Sequence, residues 1–383
     1  MKKFLTILTV FALVLTLVAC GAAPAAEKPE AKEPAAEGEA PIIKKVALVT
    51  DVGTIDDESF NQACWQGVKA WSEANKIDHK YYQPTEDSND ARMLSISQAI
   101  QEGANVVVLP GFLFDAAVAE VQDQYPDVYF IAVDVASLPN DTPIGKNAIC
   151  ITFAEEQAGF LAGYAAVKDG YTKHGFLGGM AVPAVVRFGY GYVQGADLAA
   201  QEMETDIEIK YFYGGQFFGD ANITARMEGW YKDGTEVVFA CGGGIYTSAV
   251  DAALQYDGKV IGVDVDQFPV GEKEEGGQKL YKYNPFISSA MKGLQPVTEA
   301  ILEAIQTGKW EEYSGKSMVF SLAEGDFVGL PTTEESWGFE TFTLEDYEAL
   351  IERIKSGEIE IDNSFDTAKP PTVSEFTKLE MIS

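Results

Sequence analysis

Aspartates recur where short apolar runs of this chain end. Asp51 closes KVALVTD, Asp134 lies near the end of VYFIAVDV, and Asp264 and Asp266 follow KVIGV. Ionised carboxylates accept hydrogen bonds and suit ligands rich in hydroxyl or N–H donors. Other runs end in glycine and aromatic residues: Gly111-Phe112 after NVVVLP, Gly214-Gly215-Gln216-Phe217-Phe218 after EIKYFY, and Gly242-Gly243-Gly244 after EVVFAC. Glycine lets a backbone approach closely, and an aromatic ring offers a flat group contact on its face. The set describes a site that grips hydroxyls and sandwiches a flat group. Each member also has a plainer role: an Asp after a strand caps a helix, a glycine run permits a tight turn, and Phe217-Phe218 fills a core. Their shared position at strand ends favours binding, because open parallel sheets bind ligands beyond the carboxyl ends of their strands.

Catalytic chemistry finds no support. The run Gly242–Ser248 (GGGIYTS) has no Lys before its hydroxyl residue, and Gly315-Lys316-Ser317 has Trp310 where a phosphate loop needs its first Gly. The only histidines, His79 and His174, are both expected at strand starts in structural or solvent-facing roles, and no Gly-x-Ser-x-Gly occurs. Neither a metal nor a cofactor is expected, since no Cys/His spacing suits one. Cys64, Cys150 and Cys241 stand far apart in apolar or small-residue surroundings and read as buried free thiols. The formal charge of −31 argues against a nucleic-acid partner and against a strongly anionic ligand.

The elements that must position these residues alternate. Strands are expected at 45–51, 105–111, 128–135 and 147–153, with helices at 59–74 and 115–124. A second series follows: helices at 155–167, 185–202, 222–231 and 248–254, and strands at 174–178, 208–213, 236–240 and 259–263. Apolar strands alternating with helices mean a parallel sheet covered on both faces, and the repetition means two lobes of the same α/β architecture. The stretch 286–307 reads as helical, as does 344–356.

Lys2 and Lys3 precede an apolar run from Phe4 to Ala19 that stops at Cys20, the pattern of a signal peptide with a lipidation site. Residues 21–41, rich in Ala, Pro, Glu, Lys and Gly, read as a tether. The chain is therefore expected on the extracytoplasmic face of a cell membrane, held there only by lipid on Cys20.

The stretch Asp51–Gly67 (DVGTIDDESFNQACWQG) resembles the D-x-G-x-x-x-D-x-S-F-N-x-x-x-W-x-G signature of the BMP/PnrA-like basic membrane lipoproteins. Gly111-Phe112-Leu113-Phe114, Tyr125–Phe130, Phe153–Gly163, Ile261–Gln267 and Ser356–Ile359 continue the likeness over the whole mature chain. The resemblance implies a type I periplasmic-binding fold: two doubly wound parallel-sheet lobes with a hinge, joined by three crossings. The boundaries expected are 1–19 for the signal peptide, 20–43 for the lipidated Cys and tether, 44–152 plus about 265–312 for lobe 1, and 153–264 plus about 313–383 for lobe 2. It also implies a monomer that captures a neutral solute, a purine nucleoside above all, for the permease of an ABC importer. The other reading is a receptor of this fold that feeds a sensor with a sugar or signalling molecule.

By motif position Phe60 and Phe217 would sandwich a base, with Asp51, Asn61 and Asp134 as polar contacts and Asp264 with Gly242-Gly243 at ribose hydroxyls. Two departures leave alternatives open. Gln216-Phe217-Phe218-Gly219-Asp220 holds an extra residue relative to the usual G-S-F-x-D, so Phe218 is the other candidate ring. Ser288-Ser289-Ala290-Met291-Lys292 stands for the usual T-S-x-x-K, making Lys292 either the sugar-reaching lysine or a solvated helix residue.

Overall fold

The computed structural model describes residues 42–382, so the signal peptide, Cys20 and residues 21–41 of the tether lie outside it. Along the chain the elements are β1 (Lys45–Val49), α1 (Phe60–Asn75), β2 (Asp78–Tyr82), α2 (Asn89–Gln101), β3 (Val106–Pro110), α3 (Asp115–Gln124), β4 (Tyr129–Val133) and β5 (Ala148–Phe153). Then come α4 (Glu155–Lys168), β6 (Lys173–Gly178), α5 (Pro183–Met203), β7 (Ile207–Tyr213), α6 (Ala221–Lys232), β8 (Val237–Cys241), α7 (Tyr246–Tyr256), β9 (Lys259–Asp264) and the short α8 (Phe268–Gly271). A small ribbon, β10 (Glu274–Glu275) with β11 (Gln278–Lys279), leads to β12 (Phe286–Lys292), α9 (Leu294–Gln306), β13 (Lys316–Phe320), β14 (Val328–Gly329), α10 (Leu344–Lys355) and β15 (Thr377–Ile382).

Two sheets form, ordered β13-β5-β4-β3-β1-β2 and β14-β12-β9-β8-β6-β7-β15, with every pairing parallel except β12 with β14. Strands β3 and β5 are buried at every residue, as apolar strands covered by helices on both faces must be. This is the α/β architecture expected of two parallel-sheet lobes.

The pairing corrects two parts of the sequence reading. Phe286–Lys292 is a strand that pairs with β9, and helix begins only at Leu294, beyond Gly293. Its side chains are buried on both faces, and such a run carries no periodicity that tells strand from helix. The same strand, expected in lobe 1, therefore belongs to the second sheet, while Lys316–Phe320, expected in lobe 2, pairs with β5 in the first. Ile43, assigned to the tether, is fully buried and donates its N–H to Gln306 Oε1 at 3.0 Å. Strand β2 was anticipated only through His79 near its start and helix α2 went unread, since Asp-His-Lys-Tyr-Tyr at a sheet edge is largely exposed and α2 is weakly amphipathic.

The chain passes between the sheets three times, at 153–155, 292–294 and 320–328. These crossings lie side by side: Ala154 N–H donates to Phe320 O at 3.0 Å and Gly293 N–H to Phe327 O at 2.7 Å. Next to them α4 and α5 touch backbone to backbone. A Cβ on Gly159 or Gly163 would lie about 2 Å from the carbonyl oxygen of Phe188 or Tyr192, so glycine there brings the start of α5 to the cleft.

Candidate functional site

The cavity between the lobes is built from strand ends. Lobe 1 supplies Asp51 and Gly53 after β1, Phe60 and Asn61 from the first turn of α1, Gly111 to Leu113 after β3, and Asp134 after β4. Lobe 2 supplies Val185 and Phe188 of α5, Phe217, Cys241 at the end of β8 with Gly242 and Gly243 after it, Asp264 at the end of β9 and Lys292 at the end of β12. All nine expected ligand-binding residues line this one cavity. Phe218 does not; it is 59% exposed.

Asp134 and Asp264 occupy matching places in the two sheets, and both have left-handed backbones, with φ of 61° and 69°. For a residue with a Cβ that conformation is costly and persists where surrounding contacts fix it. Gly242 has φ of 148°, and a Cβ there would lie 2.9 Å from the Gly179 backbone, so only glycine fits beside Phe217.

Lys292 organises the charges. Its Nζ lies 2.6 Å from Asp134 Oδ2, 3.4 Å from Glu155 Oε1 and 3.7 Å from Asp264 Oδ1, and its side chain is 2% exposed. The ammonium also sits over the Phe60 ring, 4.7 Å from its centroid. The reading of Lys292 as a solvated helix residue is thereby overturned: it is buried and on a strand. Burial alone would lower its pKa, but Asp134, Glu155 and Asp264 reverse this and hold it charged. Burial pushes Asp134 up to about 7 against the pull of Lys292, and it also raises Asp264. Burial works on Glu155 too, but Arg187, whose Nε donates to it at 2.7 Å, and Lys292 outweigh it and keep Glu155 below its ordinary range.

Asp51 is the brace of lobe 1. Its Oδ1 accepts from Gly53 N at 2.8 Å and from Asn61 Nδ2 at 3.0 Å, while burial raises its pKa. Two acceptors in the lining, Asn61 Oδ1 and Asp134 Oδ1, are buried and have no hydrogen-bond partner.

Sequence reasoning missed several participants. Asp57 caps α1, accepting from the N–H groups of Ser59, Asn61 and Gln62 at 2.9, 3.0 and 3.1 Å, and burial lifts it to about 6. The second Asp of the D-x-G-x-x-x-D signature was the available signal. Because Asp57 caps the helix, the Ser59 hydroxyl is free to reach the other lobe, donating to Asp264 Oδ2 at 2.6 Å. Glu155 falls in the Phe153–Gly163 stretch of the family likeness, which was its available signal, while Arg187 sits in a helical run and carried none. Val185 and Phe188 look like any apolar helix face. Cys64, Cys150 and Cys241 are buried free thiols, as expected.

Residues 44–364 match the Bmp family model, described as ABC transporter substrate-binding protein PnrA-like. The ABC transporter nucleoside-binding protein BmpA of Lactococcus lactis is 30% identical over 295 residues, covering 73% of this chain and 80% of that protein. Basic membrane protein A1 of Borrelia garinii is 34% identical over 231 residues, 59% of this chain and 65% of that one. Among solved structures, an ABC transporter system solute-binding protein from Aeropyrum pernix superposes with a TM-score of 0.70 at 21% identity, covering 85% of this chain and 95% of the other. The dimeric lac repressor shares the fold with a TM-score of 0.54 at 10% identity over 77% of this chain and 100% of its own. The type I periplasmic-binding fold is thus established, and a chain with these strand-end residues around one interlobe cavity belongs to the Bmp family of PnrA-like ABC transporter substrate-binding proteins, which bind solutes and are not enzymes.

Proposed function

We propose that the cleft holds a purine nucleoside, with the base between Phe60 and Phe217 and the ribose at Asp264, Lys292 and the Gly242-Gly243 turn. The observation that carries this reading is the pairing of one ring from each lobe with the two orphaned acceptors, Asn61 Oδ1 and Asp134 Oδ1, in the same lining. A buried acceptor without a partner is costly, so the site favours a ligand that brings N–H or O–H donors. Flat faces with donors at the edge describe a nucleobase, and hydroxyls describe its sugar. The nucleoside-binding relative from Lactococcus lactis supports the same choice. The lining carries Asp51, Asp57, Asp134 and Asp264 against the single cation Lys292, already engaged by carboxylates, which disfavours a phosphorylated ligand.

In this reading the chain is a monomeric receptor anchored by lipid at Cys20 on the outer face of the membrane, handing nucleoside to an ABC permease. No helix among the described residues is long and apolar enough to cross a membrane. A thermal-shift panel of nucleosides, free bases and sugars tests it, because a ligand at a hundred times its Kd adds about 2.7 kcal/mol of stability. Stabilisation by purine nucleosides is expected. Stabilisation by sugars alone would overturn the reading.

A further inference from the structure

Glu58 lies outside the cavity lining, two residues before Phe60, and has a left-handed backbone with φ of 51°. All of its polar groups are engaged. Its N–H donates to Gln62 Oε1 at 3.0 Å, and its Oε2 accepts from Gln62 Nε2 at 3.1 Å, both within its own lobe. The other two partners come from the opposite lobe: Gln267 Nε2 donates to Glu58 O at 2.8 Å, and Lys273 Nζ pairs with Oε1. Gln267 is fully buried and itself fixed, since its Oε1 accepts from Val263 N at 3.1 Å and its N–H donates to Ser289 Oγ at 3.0 Å. It is therefore a rigid part of lobe 2 that reaches across to lobe 1.

A left-handed residue with a Cβ is held only where its surroundings over-determine it. Half of what holds Glu58 exists only while the lobes meet. The next residue, Ser59, is tied across the cleft to Asp264, and the one after it carries the ring that faces the cavity. We propose that Glu58 is a positioning residue, and that its capture by Gln267 and Lys273 couples the meeting of the lobes to the setting of the Phe60 ring. The coupling to Phe60 rests on reading the cavity as the ligand site; the latch itself does not.

The test uses Lys273→Glu, a change at a half-exposed side chain that leaves Gln267 and the core untouched, and the swap Glu58→Lys/Lys273→Glu. Dyes on Glu73→Cys and Lys232→Cys, both exposed, report the distance between lobes in the full chain. With no nucleoside added, K273E is expected to shift the distribution toward larger separation, and the swap to restore it. For guanosine and adenosine, K273E is expected to raise Kd about 3- to 10-fold. In a Phe60→Ala background the same change should move Kd less than about twofold, because coupled residues do not add. A distance distribution unmoved by K273E, or losses that add in the double variant, would overturn the proposal. The distance is read without nucleoside, so a wild type that binds none while K273E still parts the lobes faults the ligand reading and upholds the latch.

Discussion

Lys292 Nζ lies 2.6 Å from Asp134 Oδ2, so the last residue of β12 in one lobe is bonded to the residue that follows β4 in the other. The bond stands beside the crossing at 292–294. Removing the cation leaves Asp134, Glu155 and Asp264 buried around a methyl group. Lys292→Met is expected to cost about 3–5 kcal/mol of stability in urea unfolding. In the double variant with Asp134→Asn, a coupling of at least about 1 kcal/mol is expected; simple additivity would mean that the two residues act independently.

Phe60 and Asp264 should differ in what they recognise. A base stacked on an aromatic ring is worth about 1–3 kcal/mol, so Phe60→Ala is expected to weaken nucleosides and free bases alike by roughly 5- to 150-fold. Asp264→Asn should weaken only ligands that carry the sugar. Calorimetric titration of guanosine against guanine checks both. Wild-type affinity in folded Phe60→Ala would remove the ring from the site.

The neighbouring phenylalanines separate cleanly. Phe217 lines the cavity and Phe218 is 59% exposed. Phe217→Ala is expected to weaken nucleoside binding by the same roughly 5- to 150-fold, and Phe218→Ala by less than about twofold. The reverse order in a titration would transfer the stacking role to Phe218.

Glu156 gives stability a pH dependence. Burial, then the charge of Glu155, raises it from 4.5 to about 7, although Arg187 pulls the other way, and its Oε2 has no hydrogen-bond partner. Between pH 4.5 and about 7 the folded chain holds a proton that the unfolded chain has lost, so this residue makes stability fall as pH rises through that window. Below the window the penalty is absent; above it the penalty is complete, on the order of 3 kcal/mol. Glu156→Gln is expected to raise Tm relative to wild type at pH 8 and to leave it nearly unchanged at pH 4. Equal differences at both pH values would show that Glu156 does not titrate in this range.

Cys20 lies outside the described residues, and its role is tested in cells. On the proposed reading acyl chains on Cys20 hold the protein at the membrane, and no helix among the described residues is long and apolar enough to do so, so Cys20→Ser should release the processed protein from washed membranes. A processed variant that stays with the membrane would refute lipid anchoring.

What the sequence determined by itself was the class of fold and the walls of the site. Apolar strands alternating with helices require a covered parallel sheet, and the ends of such strands meet a cleft whatever the loops do. Asp51, Asp134, Gly242 and Asp264 could therefore be placed by position along single strands. Phe60 and Asn61 stand ten or more residues beyond the end of β1 and were legible only through the family signature at Asp51–Gly67.

Only the tertiary structure decided how the halves join. Phe286–Lys292 is buried on both faces, which erases the periodicity that separates strand from helix, and its partner β9 is chosen by packing far along the chain. With that strand came Lys292, left open by the sequence between a site lysine and a solvated one and now the buried centre of three carboxylates. Ser59 with Asp264, Glu58 with Gln267, and Arg187 with Glu155 are likewise contacts between residues 32 to 209 positions apart. No local pattern encodes such pairs, since each partner alone is an ordinary polar residue and acquires its role only when distant segments of the chain pack together.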